Sequence, residues 1–332
     1  VAATTLTTVL PPPELLPDTL PTDRLTAAAR PVPPLREELR RIPDARNVVT
    51  VIGAYAQSFG VIAVAVAIGH PLAYVAAYFL MGRAHCLLSI LGHEAAHRLL
   101  FSKKKANDVV GRWLLAYPSF TPFDLYRRAH MAHHKDEMGP DEPDRQLYAN
   151  YPIPFDSFRR KLTRDALFNS GYKNLKPLVK GLTKPASRPL ALRILGTQLV
   201  IVAVFTVFYG GRWWLYPLLW LAPWMSVWKV LNRLRAIAEH GGMTRSHDRR
   251  LTTHVVRQRR IARFWMVPYN TGWHLAHHVD MGIPFRKLPA LHAELVAAGW
   301  IAPDLEYPSY TALWKALSSG RAVATGAELL DD

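Results

Sequence analysis

From Val48 to Gly69 the sequence runs for 22 residues without a charged side chain, and no other feature limits the possible folds as much. At 1.5 Å rise per residue, a helix of that length spans a hydrocarbon core about 30 Å thick. After the short turn His70-Pro71 a second apolar stretch reaches Leu91 and Gly92, interrupted by Arg83 and His85. So tight a turn leaves the two helices antiparallel. Two more apolar stretches flank Gly210-Gly211-Arg212, so the expected spans are about 48–69, 71–92, 190–209 and 213–231. Buried helices of soluble proteins are seldom this long without charge. The expected fold is therefore an all-α integral membrane protein, with four transmembrane helices and a cytoplasmic helical cap.

The flanks differ in composition. Residues 1–47 hold nine prolines, among them Pro11-Pro12-Pro13 and Pro33-Pro34, with no sustained hydrophobic period; they are expected to form a disordered cytoplasmic tail. No signal-peptide pattern is present in it, and because it opens on valine its start is expected to be incomplete or trimmed. Residues 48–300 form the expected membrane domain, and 301–332 a second cytoplasmic tail.

Charge gives the orientation. Lysines and arginines number 18 in residues 98–189 and 13 from Arg233 onward, whereas the first short loop has none and the third has only Arg212. The positive-inside rule then places both termini and the central loop in the cytoplasm, with a plasma (inner) membrane as the expected location. A net charge of +16 distributed this way fits basic loops beside lipid better than nucleic-acid binding. The single cysteine, Cys86, excludes an internal disulfide and any four-cysteine zinc or iron–sulfur site. The stripe Trp220, Trp224, Trp228 is read as helix packing with an interface anchor.

Eight of the fourteen histidines fall in three groups: His93 and His97; His130, His133 and His134; His274, His277 and His278. Each group lies just beyond an expected span or in a cytoplasmic loop. The i, i+4 spacing of the first presents two imidazoles on one helical face. In HMAHH and HLAHH the first and second histidines share a face and the third points about 100° away, which suits two metal ions better than one. The ligand type alone leaves iron, copper, zinc and nickel open. His85 lies on nearly the face of His93, where it either approaches the site or makes a structural hydrogen bond. His70, His247, His254 and His292 read as ordinary. Glu94, Asp136, Glu137, Asp141, Glu142, Asp144, Glu239 and Asp280 are near enough to orient histidine ligands.

The order HxxxH, HxxHH, HxxHH, with two spans between the second box and the third, resembles the membrane fatty acid desaturase family. The similarity extends over roughly Val48 to Leu295 and includes Gly82-Arg83-Ala84-His85, Glu142-Pro143-Asp144, and Pro284, Leu288, Pro289 and Leu291. It implies a di-iron centre held by the eight clustered histidines, with no catalytic residue separate from it. The family's additional histidine after the last span corresponds to His240, in Ala238-Glu239-His240-Gly241-Gly242, as a ninth ligand. Animal members carry an asparagine one turn earlier where this chain has Ala236, so a water or nearby acid is expected to complete one iron.

The resemblance implies an O₂-dependent oxidoreductase that introduces a double bond into a long lipid acyl chain. Electrons would come from a separate donor, expected to be a ferredoxin with its reductase. Hydroxylation, or ketolation of a carotenoid, is the alternative within this chemistry, decided by placement of the second C–H bond. His93-Glu94-Ala95-Ala96-His97 also spells HExxH, so an intramembrane zinc protease is the alternative from another class; it leaves six clustered histidines without a purpose. A metal transporter would place its ligands at mid-membrane.

Overall fold

The computed structural model describes residues 9–320; the outermost parts of both expected tails, 1–8 and 321–332, lie outside the described residues. The chain is mainly helical. In order it forms α1 (Leu35–Leu39), α2 (Asp44–Ile68), α3 (Pro71–Ala96), α4 (Lys104–Val110), α5 (Phe123–Lys135), α6 (Arg145–Tyr148), α7 (Phe155–Ala166) and α8 (Asn169–Gly181). There follow α9 (Arg188–Phe208), α10 (Ala222–Met225), α11 (Val227–His240), α12 (Arg260–Trp265), α13 (His274–Val279), α14 (Leu288–Ala297) and α15 (Tyr310–Leu317). Among the described residues one sheet pairs β1 (Val255–Val256) with β2 (Glu306–Tyr307) in parallel, a small departure from the all-α expectation. By internal packing the chain divides into two compact units. Among the described residues, one takes in 42–128 and 161–232, the other 9–41, 129–160 and 233–320.

The first unit contains the long helices. α2 ends at Gly69, whose φ of +65° places it in the left-handed region that glycine adopts without a Cβ clash. α3 then begins with Pro71 at its first position, where a missing N–H costs nothing, and the His70 ring accepts from Leu72 N. Three helices are long and apolar enough to cross a membrane: α2, within the stretch Leu35–Ile68, then α3 and α9. α3 is the most buried of them, whereas α2 and α9 turn apolar side chains outward, Leu199 at 71% and Val207 at 81% exposure. Apolar faces of that size are what lipid would cover.

The expected fourth span, 213–231, is not one long helix. It is a π-helical turn at Pro217–Leu221, then α10, a break at Ser226 (φ −122°, ψ −83°), then α11. Pro217 and Pro223 each lack an N–H, which loosens the ladder, and side-chain hydrogen bonds fasten the segment to its neighbours. His85 Nε2 lies 2.9 Å from the Trp220 carbonyl, and Trp220 Nε1 donates to the Pro118 carbonyl at 3.1 Å. Gln198 likewise donates to Tyr117 O at 2.6 Å and accepts from the Tyr216 hydroxyl at 2.9 Å. Within this unit His85 is thus a structural residue. Trp220, Trp224 and Trp228 are all buried, so packing accounts for the stripe.

In the second unit, residues 9–41 do not behave as a solvated tail. Leu25, Ala29 and Leu39 are each 1% exposed. Arg24 grips Glu294 with two bonds of 2.7 Å, Arg40 grips Asp280 at 2.8 and 2.9 Å, and Pro17 O accepts from Arg250 at 2.9 Å. At the other end, where 301–332 was also expected as a tail, α15 buries Tyr310, Leu313 and Leu317.

Candidate metal centre

Seven of the nine candidate ligands belong to the second unit, where they come from three helices. α5 supplies His130, His133 and His134, the last residue of α11 is His240, and α13 supplies His274, His277 and His278. The sequence reading paired the first and second histidine of each box. Here the first and third meet instead, with Nε2···Nε2 distances of 3.1 Å for His130 and His134 and 2.9 Å for His274 and His278. Side chains at i, i+4 are only about 40° apart around a helix and lean over the same turn.

Adjacent histidines do go to different groups. His134 Nε2 also lies 3.1 Å from His277 Nε2, making one set with His130. His240 Nε2 lies 3.1 Å from His274 Nε2, and the ligand atoms of His133, His240 and His278 lie within 4.8 Å of one another. Two nitrogens bound to one ion at ~2.1 Å are separated by roughly 3 Å when they meet at right angles, the spacing found in both sets.

The outer nitrogens reveal which tautomers are present. His240 Nδ1 is 2.8 Å from the Thr252 carbonyl, which can only accept, so the proton sits on Nδ1. His133 Nδ1 faces the Glu142 carboxylate and His278 Nδ1 that of Glu137, again acceptors. All three inner nitrogens therefore point lone pairs at a common space in a buried site, an arrangement that a cation satisfies and a fourth acceptor would not. Burial holds His240, His274 and His278 well below the ordinary imidazole range, aided by charge on their neighbours, so they stay in the neutral form a metal needs. Burial also pulls on His133, but the hydrogen bond and charge of Glu142 outweigh it and the net shift is upward.

Of the acids flagged from sequence, Glu142 and Glu137 hold the candidate ligands His133 and His278 directly, and Glu239 lies 3.5 Å from His274 Nδ1. Asp136 and Asp280 pair instead with Arg245 and Arg40. Glu137 is itself fixed by the Thr252 hydroxyl and by Arg249 at 2.6 Å. Sequence reasoning missed Arg249 and Thr252, since a backbone carbonyl and an arginine in a basic loop carry no distinguishing spacing.

His93 and His97 stand at the end of α3 in the other unit, with ring centroids 4.7 Å apart. Arg127 fixes that end by donating to the carbonyls of Ala95 and Ala96, both at 3.0 Å, where it complements the helix C-terminus. Asp108 holds the guanidinium at 2.6 Å and the Phe123 ring lies 4.6 Å beneath it.

Residues 69–311 match the family model described as fatty acid desaturase. The chain is 26% identical over 230 residues to a dihydrorhizobitoxine desaturase of Bradyrhizobium elkanii, and the match spans 64% of each protein. It is 22% identical over 268 residues to an sn-1 acyl-lipid omega-3 desaturase (ferredoxin) of Nostoc sp. (strain 36), over 73% of each.

Proposed function

The chain belongs to the fatty acid desaturase family, and from that premise we propose that it is an O₂-dependent di-iron desaturase acting on a long lipid acyl chain. The observation that carries this reading is the convergence of buried imidazole nitrogens, with His130, His134 and His277 in one set and His133, His240 and His278 in another. His130, His134 and His277 would hold one iron, and the family's first histidine box, here His93 and His97, would add ligands to the centre. His133, His240, His274 and His278 would hold the other. Neutral imidazoles backed by carboxylates suit iron among the metals such a donor set accepts. Two irons bound here would supply the reductive activation of O₂.

The balance of the reaction is one CH₂–CH₂ unit, O₂, two electrons and two protons giving CH=CH and two waters. The protein's own part is to keep the rings neutral and aimed, through Glu137, Glu142 and the Thr252 carbonyl, and to keep bulk water from the buried histidines. The outward-facing apolar surfaces of α2 and α9 support a membrane setting, with the broken segment 213–231 as a fourth crossing. The basic loops support a cytoplasmic site and cytoplasmic termini, in a plasma membrane. The Nostoc relative's name supports an acyl-lipid substrate and a ferredoxin donor. A zinc protease built on His93, Glu94 and His97 would leave the seven-histidine cluster without a task.

The test is reconstitution of purified protein in lipid nanodiscs with iron, ferredoxin, its reductase and phospholipid substrate. The expected result is two irons per chain and a product lighter by two hydrogens. A product heavier by one oxygen would make it a hydroxylase, and peptide cleavage abolished by Glu94→Gln would make it a protease.

A further inference from the structure

An open cleft of about 430 Å³ lies on the surface of the second unit, lined by Lys135, Asp136, Glu137, Arg245, His247 and Arg249. Its inner wall is the back of the metal centre. Arg249 Nη1 is 2.6 Å from Glu137 Oε1, and the same oxygen is 2.5 Å from His278 Nδ1. Glu137, which lines the cleft, is therefore the one side chain between its occupant and a candidate iron ligand.

Every side chain lining the cleft is charged or polar, so an acyl chain gains nothing there. Glu137 is buried and already answered by Arg249, His278 and Thr252. Of the lining charges, Arg249 pairs with Glu137 and Arg245 with Asp136 at 2.8 Å, so three cations face two carboxylates and Lys135 is the charge in excess. The balance is basic. The chain has one cysteine, the buried Cys86, and so cannot house an iron–sulfur cluster to feed the irons.

We infer that this cleft is where an acidic, iron–sulfur electron-carrier protein docks. The inference rests on the di-iron reading above and adds the partner's surface. The docked carrier is oxidised by one electron per encounter, two encounters supply the electron pair of each turnover, and the two protons come from solvent. Docking here brings its cluster to the wall shared with His278, whereas the arginines of α12 do not line the cleft. Attraction between a basic cleft and an acidic carrier speeds encounter and weakens with salt.

The experiment measures binding of a plant-type ferredoxin to the full chain in iron-loaded and iron-free form, in nanodiscs of uncharged phosphatidylcholine. Arg245→Glu is expected to weaken binding by about tenfold or more at low salt, and Arg260→Glu on α12 to leave it unchanged. Reduction of the irons by dithionite with methyl viologen is expected to proceed equally in both variants. Ferredoxin binding that is unaffected by Arg245→Glu, or lost in Arg260→Glu, overturns the inference. So does a result in which inorganic phosphate fills the cleft without displacing ferredoxin, which would make it a small-anion site. If the wild-type protein takes up no iron, or chemical reductant yields no turnover, the di-iron reading fails, while the binding comparison still decides the cleft.

Discussion

At the level of single residues, the histidines were legible because their chemistry is scarce and their spacing is local. HMAHH and HLAHH needed no knowledge of the fold. What turns imidazoles into ligands was less legible, because it lies across the chain: Glu137 reaches His278 over 141 residues, and a main-chain oxygen at Thr252 sets the tautomer of His240. Glu142, nine residues from His133, was within sight of a sequence reading. Glu142→Gln keeps the shape but replaces a charged acceptor with an amide, which is expected to lower iron affinity roughly 10- to 100-fold. Titration of the apoprotein with Fe²⁺ against a competing chelator reads this directly. On the di-iron reading His133→Ala removes a ligand, so one of the two irons is expected to be lost while the chain still inserts. An unchanged stoichiometry in His133→Ala would remove that ring from the centre.

At the level of elements, three of the expected spans appear as helices close to their sequence limits, because charge-free length is itself the signal. The fourth does not, and the reason was present in the sequence: Pro217 and Pro223 sit inside the apolar window, and hydropathy does not register a missing N–H. The break at Ser226 opens a close approach from α8. A Cβ on Gly171 would lie 2.5 Å from the Met225 carbonyl oxygen and 2.6 Å from its Cα. These are main-chain atoms, so the segment itself would have to shift. Gly171→Ala is expected to destabilise the protein by about 1–3 kcal/mol, read as a lower melting temperature in detergent. Gly53, on α2 with nothing within 4 Å of its added Cβ, is the control: Gly53→Ala should keep or raise the melting temperature, since alanine is the better helix former. Equal melting temperatures for the two variants would mean that α8 and the break are not packed as described.

At the level of the whole molecule, the N-terminal segment shows what local reading misses. Its prolines suppress any hydrophobic period, so residues 9–41 read as a tail, yet their partners lie 240 to 270 residues away. Arg40 is the contact that bears most on the metal centre, because Asp280 follows His278 by two residues and its side chain is only 5% exposed. The guanidinium makes two bonds to that carboxylate, and Gly282 N donates to the same Oδ1 at 2.9 Å. Removing Arg40 leaves a buried charge with one remaining donor. Hydrogen bonds to charged groups contribute about 1.5–3 kcal/mol, and the lower end applies here because Arg40 is 47% exposed and solvent screens it. Arg40→Ala is therefore expected to lower stability by about 1.5 kcal/mol. Asp280→Asn keeps the acceptor for Gly282 N but gives up the charge, so its cost should overlap with that of Arg40→Ala. The double variant is then expected to lose about 1 kcal/mol less than the sum of the two single losses, as residues in direct contact do. Thermal melts of the four proteins in one detergent complete the cycle. Strict additivity would mean that Arg40 and Asp280 act independently and that the segment is held to the third histidine box by something else.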